Sequence, residues 1–350
     1  MQKGLKTHIS TDKEKLNCPF VSLIVATRNE EKYIGRLLDS LVDQTYPKDR
    51  FEVLIFDGMS QDSTLQIVEK YRNRLNLRVF MNPKIRHVFA FNRGVDEAQG
   101  DLFMIVNAHS FLKKDFIEED VRTFLQIREA EPKLAGVGGI YINVYENTFG
   151  KLVSLMYYSP FSGARSCRYK RKPHFSDSVI FGVFDRQIII SNGKFDEDFI
   201  VGQDDELPLR LRLKGFKFYT NPNIIAYYFT RSSFKRFIKQ TFNYGVAKGL
   251  LVRKGYRHIE WFNPASFWFI PPLFFFYELF LIVSFPIFNS MLIFIPMITY
   301  LIVDLLASFH LLIKTKDSLC LLLPIMYLVF HNMLGIGVLA GLIKGKKAFL

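Results

Sequence analysis

The sequence has few cysteines, and no pattern that would let them pair or bind zinc. Its three cysteines, Cys18, Cys167 and Cys320, stand far apart, and no two of them form a CxxC pair. This excludes a disulfide framework and a zinc site, and a reducing compartment is the expected environment. No GxGxxG follows the first predicted strand, which argues against a nucleotide-binding dehydrogenase.

The N-terminal residues lack the apolar stretch of a signal peptide. Residues 1–18 are polar, so we expect a flexible segment that would not export the domain after it.

Acidic residues are fewer than basic ones: the chain has 33 Asp and Glu and 46 Lys and Arg, for a net charge of +13. Such a charge is compatible with binding to anionic headgroups, nucleic acid or phosphorylated substrates, and only the spacing of the sequence motifs can distinguish these partners.

Long apolar runs are confined to the last part of the chain. Charged or turn-forming residues divide this part into three segments, 267–288, 291–313 and 319–343. Each has the roughly 20 residues that a bilayer crossing needs, so residues 263–350 are predicted to be a membrane domain with about three hydrophobic segments. Nucleic acid is not an expected partner, because it would not explain these segments. Three crossings would put Lys344, Lys346 and Lys347 outside, against the positive-inside tendency, unless the first segment lies partly in the interface.

Strands and helices alternate before this region. Short β-branched runs, FVSLIVAT, FEVLIFD and DLFMIV, are separated by stretches whose apolar residues have helical spacing. The alternation predicts an α/β fold with a mostly parallel sheet, in which ligands collect at the carboxyl ends of the strands. Residues 19–230 are therefore predicted to be the catalytic domain. Within it, DDELPLRLRLKG is predicted to be a helix and KFYTNPNIIAYYF a pair of strands.

A basic segment joins the two regions. The stretch from Arg231 to Arg257 contains eight Lys or Arg and no acid, interleaved with aromatic residues. Residues 231–262 are predicted to be a basic amphipathic segment on the headgroups, with Phe234, Phe237 and Phe242 turned to lipid. The alternative is a juxtamembrane stretch that only orients the protein.

Three polar turns contain the candidate chemistry. Asp57, in FDGMSQDST, ends a strand in a turn that can bind a base or ribose, although a helix-capping loop has the same composition. Asn107 and His109, in VNAHS, have the spacing of two ligands for one divalent ion, or form a plain polar turn. Asp204, in GQDDEL, lies among three acids that the helix dipole favours; their repulsion can also produce a general base.

In this order the motifs resemble glycosyltransferase family 2, which has the GT-A fold. VSLIVATRNEEKYIGRLLDSLVDQTYP resembles the family's opening strand and helix, and FDGMSQDST its nucleotide-binding element. NRGVDEAQGDLFMIVNAHS falls at the DxD metal motif, and KFDEDFIVGQDDELPLRLRLKGFKFY resembles the acceptor segment. The resemblance covers about residues 20–260. More narrowly, DGMSQDST and LPIMYLVFHNMLGIG resemble succinoglycan-type bacterial exopolysaccharide transferases.

The resemblance implies a site for a nucleotide-sugar. Its expected binding residues are Thr27, Asn29, Glu30, Asp57, Arg231 and Lys235. Asp57 would bind the uracil or ribose, and the two cations would face the departing phosphates.

The resemblance also implies a metal site and a catalytic base. Asn107 and His109 would hold a divalent cation, Mn²⁺ or Mg²⁺, and hold it weakly because Asn107 replaces the first carboxylate of DxD. Asp204 would be the base that deprotonates the acceptor hydroxyl. Gln203 replaces the glutamate that usually precedes this base, which alters the charge around Asp204.

The implied function is inverting transfer of a sugar from a nucleotide-diphosphate sugar to a polyprenyl-linked glycan in cell-surface polysaccharide biosynthesis. The protein would be a multi-pass protein of the cell (plasma or inner) membrane with a cytoplasmic catalytic domain. One alternative is a polyprenyl-phosphate sugar synthase, whose lipid phosphate acceptor needs no general base and would tolerate loss of Asp204. Another is a non-catalytic membrane scaffold with a degenerate metal site, which Asn107 allows.

Overall fold

A computed structural model describes residues 18–162, 172–230, 232–256, 270–288 and 290–350. Residues 1–17 and Arg231, for which a flexible terminus and a phosphate-facing cation are predicted, lie outside this part of the chain. The chain divides into two compact units. The first has residues up to Gly139, Val179–Phe195 and Leu211–Ala226, and the second has Ile140–Ser178, Asp196–Arg210 and Tyr227–Leu350. The segment 19–230, predicted as one domain, is therefore shared between both units.

An open sheet forms the scaffold of the first unit. The strands of the described residues are β1 Val21–Thr27, β2 Phe51–Asp57, β3 Leu77–Met81, β4 Leu102–Ile105, β5 Ser110–Leu112, β6 Leu134–Val144, β7 His174–Ser176, β8 Gly182–Asp185 and β9 Lys217–Phe229. The sheet has the order β3-β2-β1-β4-β8-β6-β9-β5. β1 is parallel to β2 and β4, and β2 is parallel to β3, whereas β8 is antiparallel to β4 and β6. The predicted α/β fold with a mostly parallel sheet is confirmed.

The central strands are covered on both faces. β2 is buried along its whole length and β1 along almost all of it, which requires their nearly continuous apolar sequences. The register aligns Thr27 of β1 with Asp57 of β2, and Ile24 of β1 with Ile105 of β4. The carboxyl ends of β2, β1 and β4 therefore lie next to one another at one edge of the sheet.

Helices connect the strands and make up most of the C-terminal region. In the described residues they are α1 Ile34–Val42, α2 Thr64–Glu69, α3 His87–Glu97, α4 Phe116–Ala130, α5 Thr148–Tyr157, α6 Arg186–Ser191, α7 Gln203–Leu213, α8 Phe234–Arg253, α9 Ile270–Phe288, α10 Ile295–Thr315 and α11 Leu323–Lys344. Short 3₁₀ turns occur at Lys48–Arg50, Pro160–Ser162, Met291–Phe294, Ser318–Leu322 and Gly345–Ala348. α1 forms because its apolar residues recur at helical spacing, and it buries Ile34, Leu37, Leu38 and Leu41.

One strand prediction is wrong. KFYTNPNIIAYYF forms the single strand β9 and not a pair of strands. Pro222 does not interrupt it, because the fixed φ of proline is compatible with extended backbone. The side-chain amide of Asn221 donates to the hydroxyl of Thr123 on α4, at 2.9 Å.

The second unit has its own apolar core, to which α5, α8, α10 and α11 contribute. Phe237 of α8 is fully buried in it, with its ring centroid 6.0 Å from that of Phe149 and 6.2 Å from that of Phe330. The prediction that Phe237 faces lipid is therefore wrong, because this face of α8 is covered by protein. Phe234, one turn earlier, is 54% exposed.

α8 and α11 approach each other through glycines. A Cβ added to Gly245 of α8 would lie 2.1 Å from the carbonyl oxygen of Leu334, and one added to Gly249 would lie 2.2 Å from that of Val338. On the other side, a Cβ on Gly341 of α11 would lie 2.3 Å from the carbonyl oxygen of Val246. The two backbones are in direct contact, as small-xxx-small sequences permit.

Three apolar helices, α9, α10 and α11, correspond to the three predicted hydrophobic segments. Two segments of the described chain, Met291–Thr315 and Ser318–Ala348, are long and apolar enough to cross a membrane, and the apolar part of α9, Pro272–Ser284, is shorter. Length and composition of this kind also occur in core helices of soluble proteins.

The glycine contacts predict opposite effects of the same substitution at two helical sites. Gly245→Ala should lower the free energy of unfolding by about 1–3 kcal/mol, because its Cβ meets backbone that cannot move aside. Gly35→Ala in α1 is the matched control: its nearest neighbour would be an Ile67 methyl at an ordinary 3.6 Å, so stability should be kept or raised by up to about 1 kcal/mol through helix propensity. Thermal unfolding in detergent would measure both, and equal shifts would contradict the close approach.

Candidate functional site

The turn after β1 and the turn after β2 are joined by hydrogen bonds at the carboxyl edge of the sheet. The N–H of Asn29 donates to Ser60 Oγ at 2.9 Å, and the N–H of Gln61 donates to Asn29 Oδ1 at 2.8 Å. Ser60 donates to the buried carboxylate of Asp57 from its N–H, at 2.8 Å, and from its hydroxyl, at 2.5 Å. Asn29 has a φ of 53°, a left-handed conformation that asparagine tolerates. Two predicted site residues, Asn29 and Asp57, are thus linked through Ser60.

A second set of hydrogen bonds holds the start of α2 against the same turn. The N–H of Glu30 donates to Thr64 Oγ1 at 2.8 Å. Asp62 accepts from the N–H of Glu31, at 3.1 Å, and from the N–H and hydroxyl of Thr64, at 3.0 and 2.6 Å. Burial opposes ionisation of Asp62, but these hydrogen bonds outweigh it and lower the pKa of the carboxyl. FDGMSQDST therefore contains both Asp62, which accepts from the first N–H of α2, and a separate buried carboxylate, Asp57.

The turn after β4 adds an imidazole to this edge. His109 Nδ1 lies 3.1 Å from Glu30 Oε1, and the two side chains are 15% and 20% exposed. Asn107, two residues earlier, is half-buried, and its carbonyl accepts from the hydroxyl of Ser110 at 2.6 Å. The structure thus brings together the predicted residues Glu30 and His109, which are far apart in sequence.

Thr27, at the last position of β1, has an unusual hydroxyl. Its Oγ1 is buried and has no hydrogen-bond partner within the described part of the chain. Buried hydroxyls without partners are rare and require an explanation, such as a polar group supplied by a ligand. Thr27 lies opposite Asp57 in the register of β1 and β2.

Asn107 and His109, the residues predicted to hold a divalent ion, are of types that can ligate one. No group of three or more His, Cys, Asp or Glu is arranged for a metal among the residues that the structure describes. Asn107 and His109 supply an amide and an imidazole, and Glu30 meets the imidazole at Nδ1, as carboxylates do when they orient a metal-binding histidine. A divalent ion here would take its remaining ligands from water and substrate phosphates, as Mg²⁺ commonly does.

Asp204 lies in the second unit, in the first turn of α7, and its side chain is exposed. Of the three neighbouring acids, Glu206 is the fully buried one: it accepts from Arg210 Nε at 2.6 Å and from the Tyr256 hydroxyl at 2.7 Å. Burial, followed by this contact with Glu206, raises the pKa of Tyr256. Glu206 is therefore a structural carboxylate that anchors α7. Lys235, also in the second unit, is exposed in the first turn of α8.

The sequence predictions did not include the contacts that Ser60, Thr64 and Glu206 make. Two signals could have identified them. The hydroxyl residues follow Asp57 and Asp62 at the short spacings used in turns, and Glu206 and Arg210 have the i, i+4 spacing of a helical ion pair.

The family model for glycosyl transferase family 2 matches residues 22–190, which contain all of this edge. The chain is also 43% identical, over 334 residues, to the dolichyl N-acetyl-α-D-glucosaminyl phosphate 3-β-D-2,3-diacetamido-2,3-dideoxy-β-D-glucuronosyltransferase of Methanococcus voltae, with 94% of this chain and 99% of the relative covered. The chain belongs to glycosyltransferase family 2. The predicted family and its enzymatic nature are confirmed, whereas the succinoglycan-type resemblance stays a prediction.

Other glycosyltransferases are similar to this chain in sequence or in fold. The poly(ribitol-phosphate) β-N-acetylglucosaminyltransferase TarS of Staphylococcus aureus is 39% identical over 128 residues, which are 34% of this glycosyltransferase and 21% of TarS. The mannosyltransferase PcManGT of Pyrobaculum calidifontis, solved with GDP-Man and Mn²⁺, is 19% identical with a TM-score of 0.59, covering 93% of this chain and 88% of PcManGT. That likeness concerns the fold alone, and the GT-A fold predicted for this glycosyltransferase is confirmed.

The Asp62 carboxylate allows a stability test within the site. Asp62→Ala should lower the free energy of unfolding by about 1–2 kcal/mol at pH 7, because three hydrogen-bond donors lose their acceptor. Because the folded pKa is lowered, this contribution is present above the unfolded pKa and is lost as the pH falls through the folded value. Glu69→Ala, which removes an exposed ion pair with Arg72, is the control and should lower stability much less than Asp62→Ala does, because water screens this pair. Chemical unfolding at pH 7 would measure both, and equal losses would contradict the role of Asp62.

Proposed function

We propose that this enzyme transfers a sugar from a nucleotide-diphosphate sugar to a lipid-linked glycan, with inversion at the sugar carbon. One observation carries the proposal: the turns after β1, β2 and β4 place Asp57, Asn29, Glu30 and His109 at one sheet edge. In open α/β sheets this edge is where ligands bind. The name of the Methanococcus voltae relative specifies a dolichyl phosphate-linked N-acetylglucosamine, which supports an isoprenoid-linked sugar as the acceptor.

The donor nucleotide would be held by the turns after β1 and β2. The Asp57 carboxylate uses two of its lone pairs on Ser60, which leaves further acceptor positions for N–H or O–H groups of a base or ribose. The unpartnered Thr27 hydroxyl would gain a partner when the nucleotide binds. Because Ser60 also fixes Asn29, the pocket is ordered before the ligand arrives.

Asn107 and His109 would hold a divalent cation, with Glu30 orienting the imidazole. Such an ion would supply positive charge to the departing diphosphate. Lys235 and Arg231 are proposed to supply further positive charge to the phosphates.

Asp204 is proposed to be the general base. Inversion requires the acceptor oxygen to attack the sugar carbon on the face opposite the diphosphate while a base removes the hydroxyl proton. Glu206 is already engaged by Arg210 and Tyr256, so it is unsuited to this role, whereas the Asp204 side chain is exposed.

The enzyme is proposed to work at the cytoplasmic face of the cell membrane, in the assembly of a cell-surface polysaccharide or another surface glycan. A lipid-linked acceptor places the reaction at a bilayer, and the apolar helices of the second unit provide the attachment.

The donor site can be tested by calorimetry with UDP and GDP in the presence of Mn²⁺. Asp57→Asn should weaken binding of the preferred nucleotide about tenfold, because one charge-assisted hydrogen bond is lost. Glu129→Gln, an exposed position on α4, is the matched control and should bind as the wild type does. His109→Ala should reduce the gain in affinity that Mn²⁺ provides. Absence of nucleotide binding by the wild type would favour the non-catalytic scaffold.

The base can be tested by measuring sugar transfer to the lipid fraction. Asp204→Asn should lower kcat by about a hundredfold or more, within the range for loss of general-base catalysis, and leave nucleotide affinity unchanged. Asp205→Asn is the neighbouring control and should keep most of the activity. Loss in Asp205→Asn alone would move the role to Asp205. Full turnover by Asp204→Asn would favour a synthase that uses a lipid phosphate acceptor, for which no base is required.

A further inference from the structure

The sequence predicts that α11 crosses the membrane, but its surroundings in the second unit are those of a core helix. The protein buries 44% of the most apolar part of the segment Ser318–Ala348, compared with 17% for Met291–Thr315. Its fully buried side chains include Tyr327 and His331, both in the first half of the helix.

The first argument is the partner along which α11 runs. α8 and α11 lie side by side in the same direction: Phe237 meets Phe330, Gly245 meets Leu334 and Gly337, and Gly249 meets Val338 and Gly341. Arg253, at the end of α8, donates to the carbonyls of Leu342 and Ile343.

α8 cannot accompany a bilayer crossing without burying charge in lipid. It carries five cations and no acid over 20 residues: Lys235, Arg236, Lys239, Lys248 and Arg253. Charged side chains inside a membrane are costly and are normally paired or directed into a protein interior. Four of these, Lys235, Arg236, Lys239 and Arg253, are exposed, so α8 belongs at the level of headgroups and water. α11, which contacts α8 along most of its length, must lie at the same level.

The second argument comes from the first half of α11. His331 Nε2 lies 3.0 Å from the carbonyl oxygen of Phe161, in the 3₁₀ turn Pro160–Ser162, and Nδ1 lies 2.7 Å from the hydroxyl of Tyr300. The Tyr327 hydroxyl donates to the carbonyl of Met156, near the end of α5. If α11 crossed the bilayer, this turn and the end of α5 would have to enter it too, although neither belongs to a described segment that is long and apolar enough to cross.

The third argument comes from the two ends of α11. Before its first turn, Asp317 pairs with Lys151 of α5 at 2.5 Å. Beyond its last turn, Lys346 pairs with Asp198 at 2.7 Å, and the side-chain amide of Asn243 exchanges two hydrogen bonds with the backbone of Leu350. Lys254 and Lys346 hold the pKa of Asp198 below its usual value. Both ends of α11 are therefore attached to polar segments of the same unit.

We infer that α11 lies along the bilayer surface, paired with α8, and does not cross the membrane, so that both of its ends face the same compartment. The bilayer contacts are then made by α9, by α10 and by the outer side of α11, where Ile325, Leu328, Ile336 and Ile343 are exposed. The arrangement also removes the conflict in the charge pattern, because Lys314 and Lys316 now share a side with Lys344, Lys346 and Lys347. It does not depend on the transfer reaction.

Labelling of single cysteines with a membrane-impermeant maleimide tests the topology. The full-length protein with Cys18→Ser and Cys167→Ser keeps the buried Cys320 and serves as the blank. Ser318→Cys and Lys347→Cys place an exposed thiol near each end of α11. Each variant is labelled in intact cells of an expression host and in sealed inverted vesicles.

We expect Ser318→Cys and Lys347→Cys to react at least tenfold faster in the same one of the two preparations. Met291→Cys, at the 82% exposed residue between α9 and α10, marks the opposite end of the apolar segment Met291–Thr315 and should not react in that preparation until detergent is added. Reaction of the two α11 variants in opposite preparations would overturn the proposal. Lys314→Cys and Lys344→Cys are a second pair at exposed positions, so the test stands if one of the first variants does not fold.

Discussion

The candidate site depends on the parallel pairing of β1 with β2 and β4. Burial of both faces fixes the register, because a shift of one residue would turn every side chain of a strand to the opposite face. In the observed register Thr27 and Asp57 end their strands together, and the turns that follow come close enough to share hydrogen bonds. The chemistry of the edge is therefore a consequence of apolar packing in the sheet beneath it.

The part of this site that the sequence predicts is the part that depends on local pattern. β-branched runs and helical spacing place Asp57, Asn107 and His109 just after strands, and the rule for parallel sheets places those turns on one edge. The hydrogen bonds that join the turns were not predicted. They depend on loop conformations such as the left-handed φ of Asn29, and on the 3.1 Å approach of Glu30 to His109, which are 79 residues apart in the chain.

Hydropathy is less informative about the second unit, for a physical reason. It counts apolar residues in a segment but contains no information about what covers them. α11 is apolar because α5, α8, α9 and α10 pack against it, and its glycines allow the backbone of α8 to touch it directly. The wrong prediction for Phe237 has the same cause, because an apolar ring indicates burial but does not show whether protein or lipid covers it.

The acids of GQDDEL show how environment separates residues that look equivalent in sequence. All three lie in the first turn of α7, where the helix dipole favours negative charge. Glu206 is buried with Arg210 and Tyr256, so its carboxylate is committed to holding the helix. Because a buried acid paired in this way cannot exchange a proton with an acceptor, an exposed neighbour must perform any base chemistry of α7.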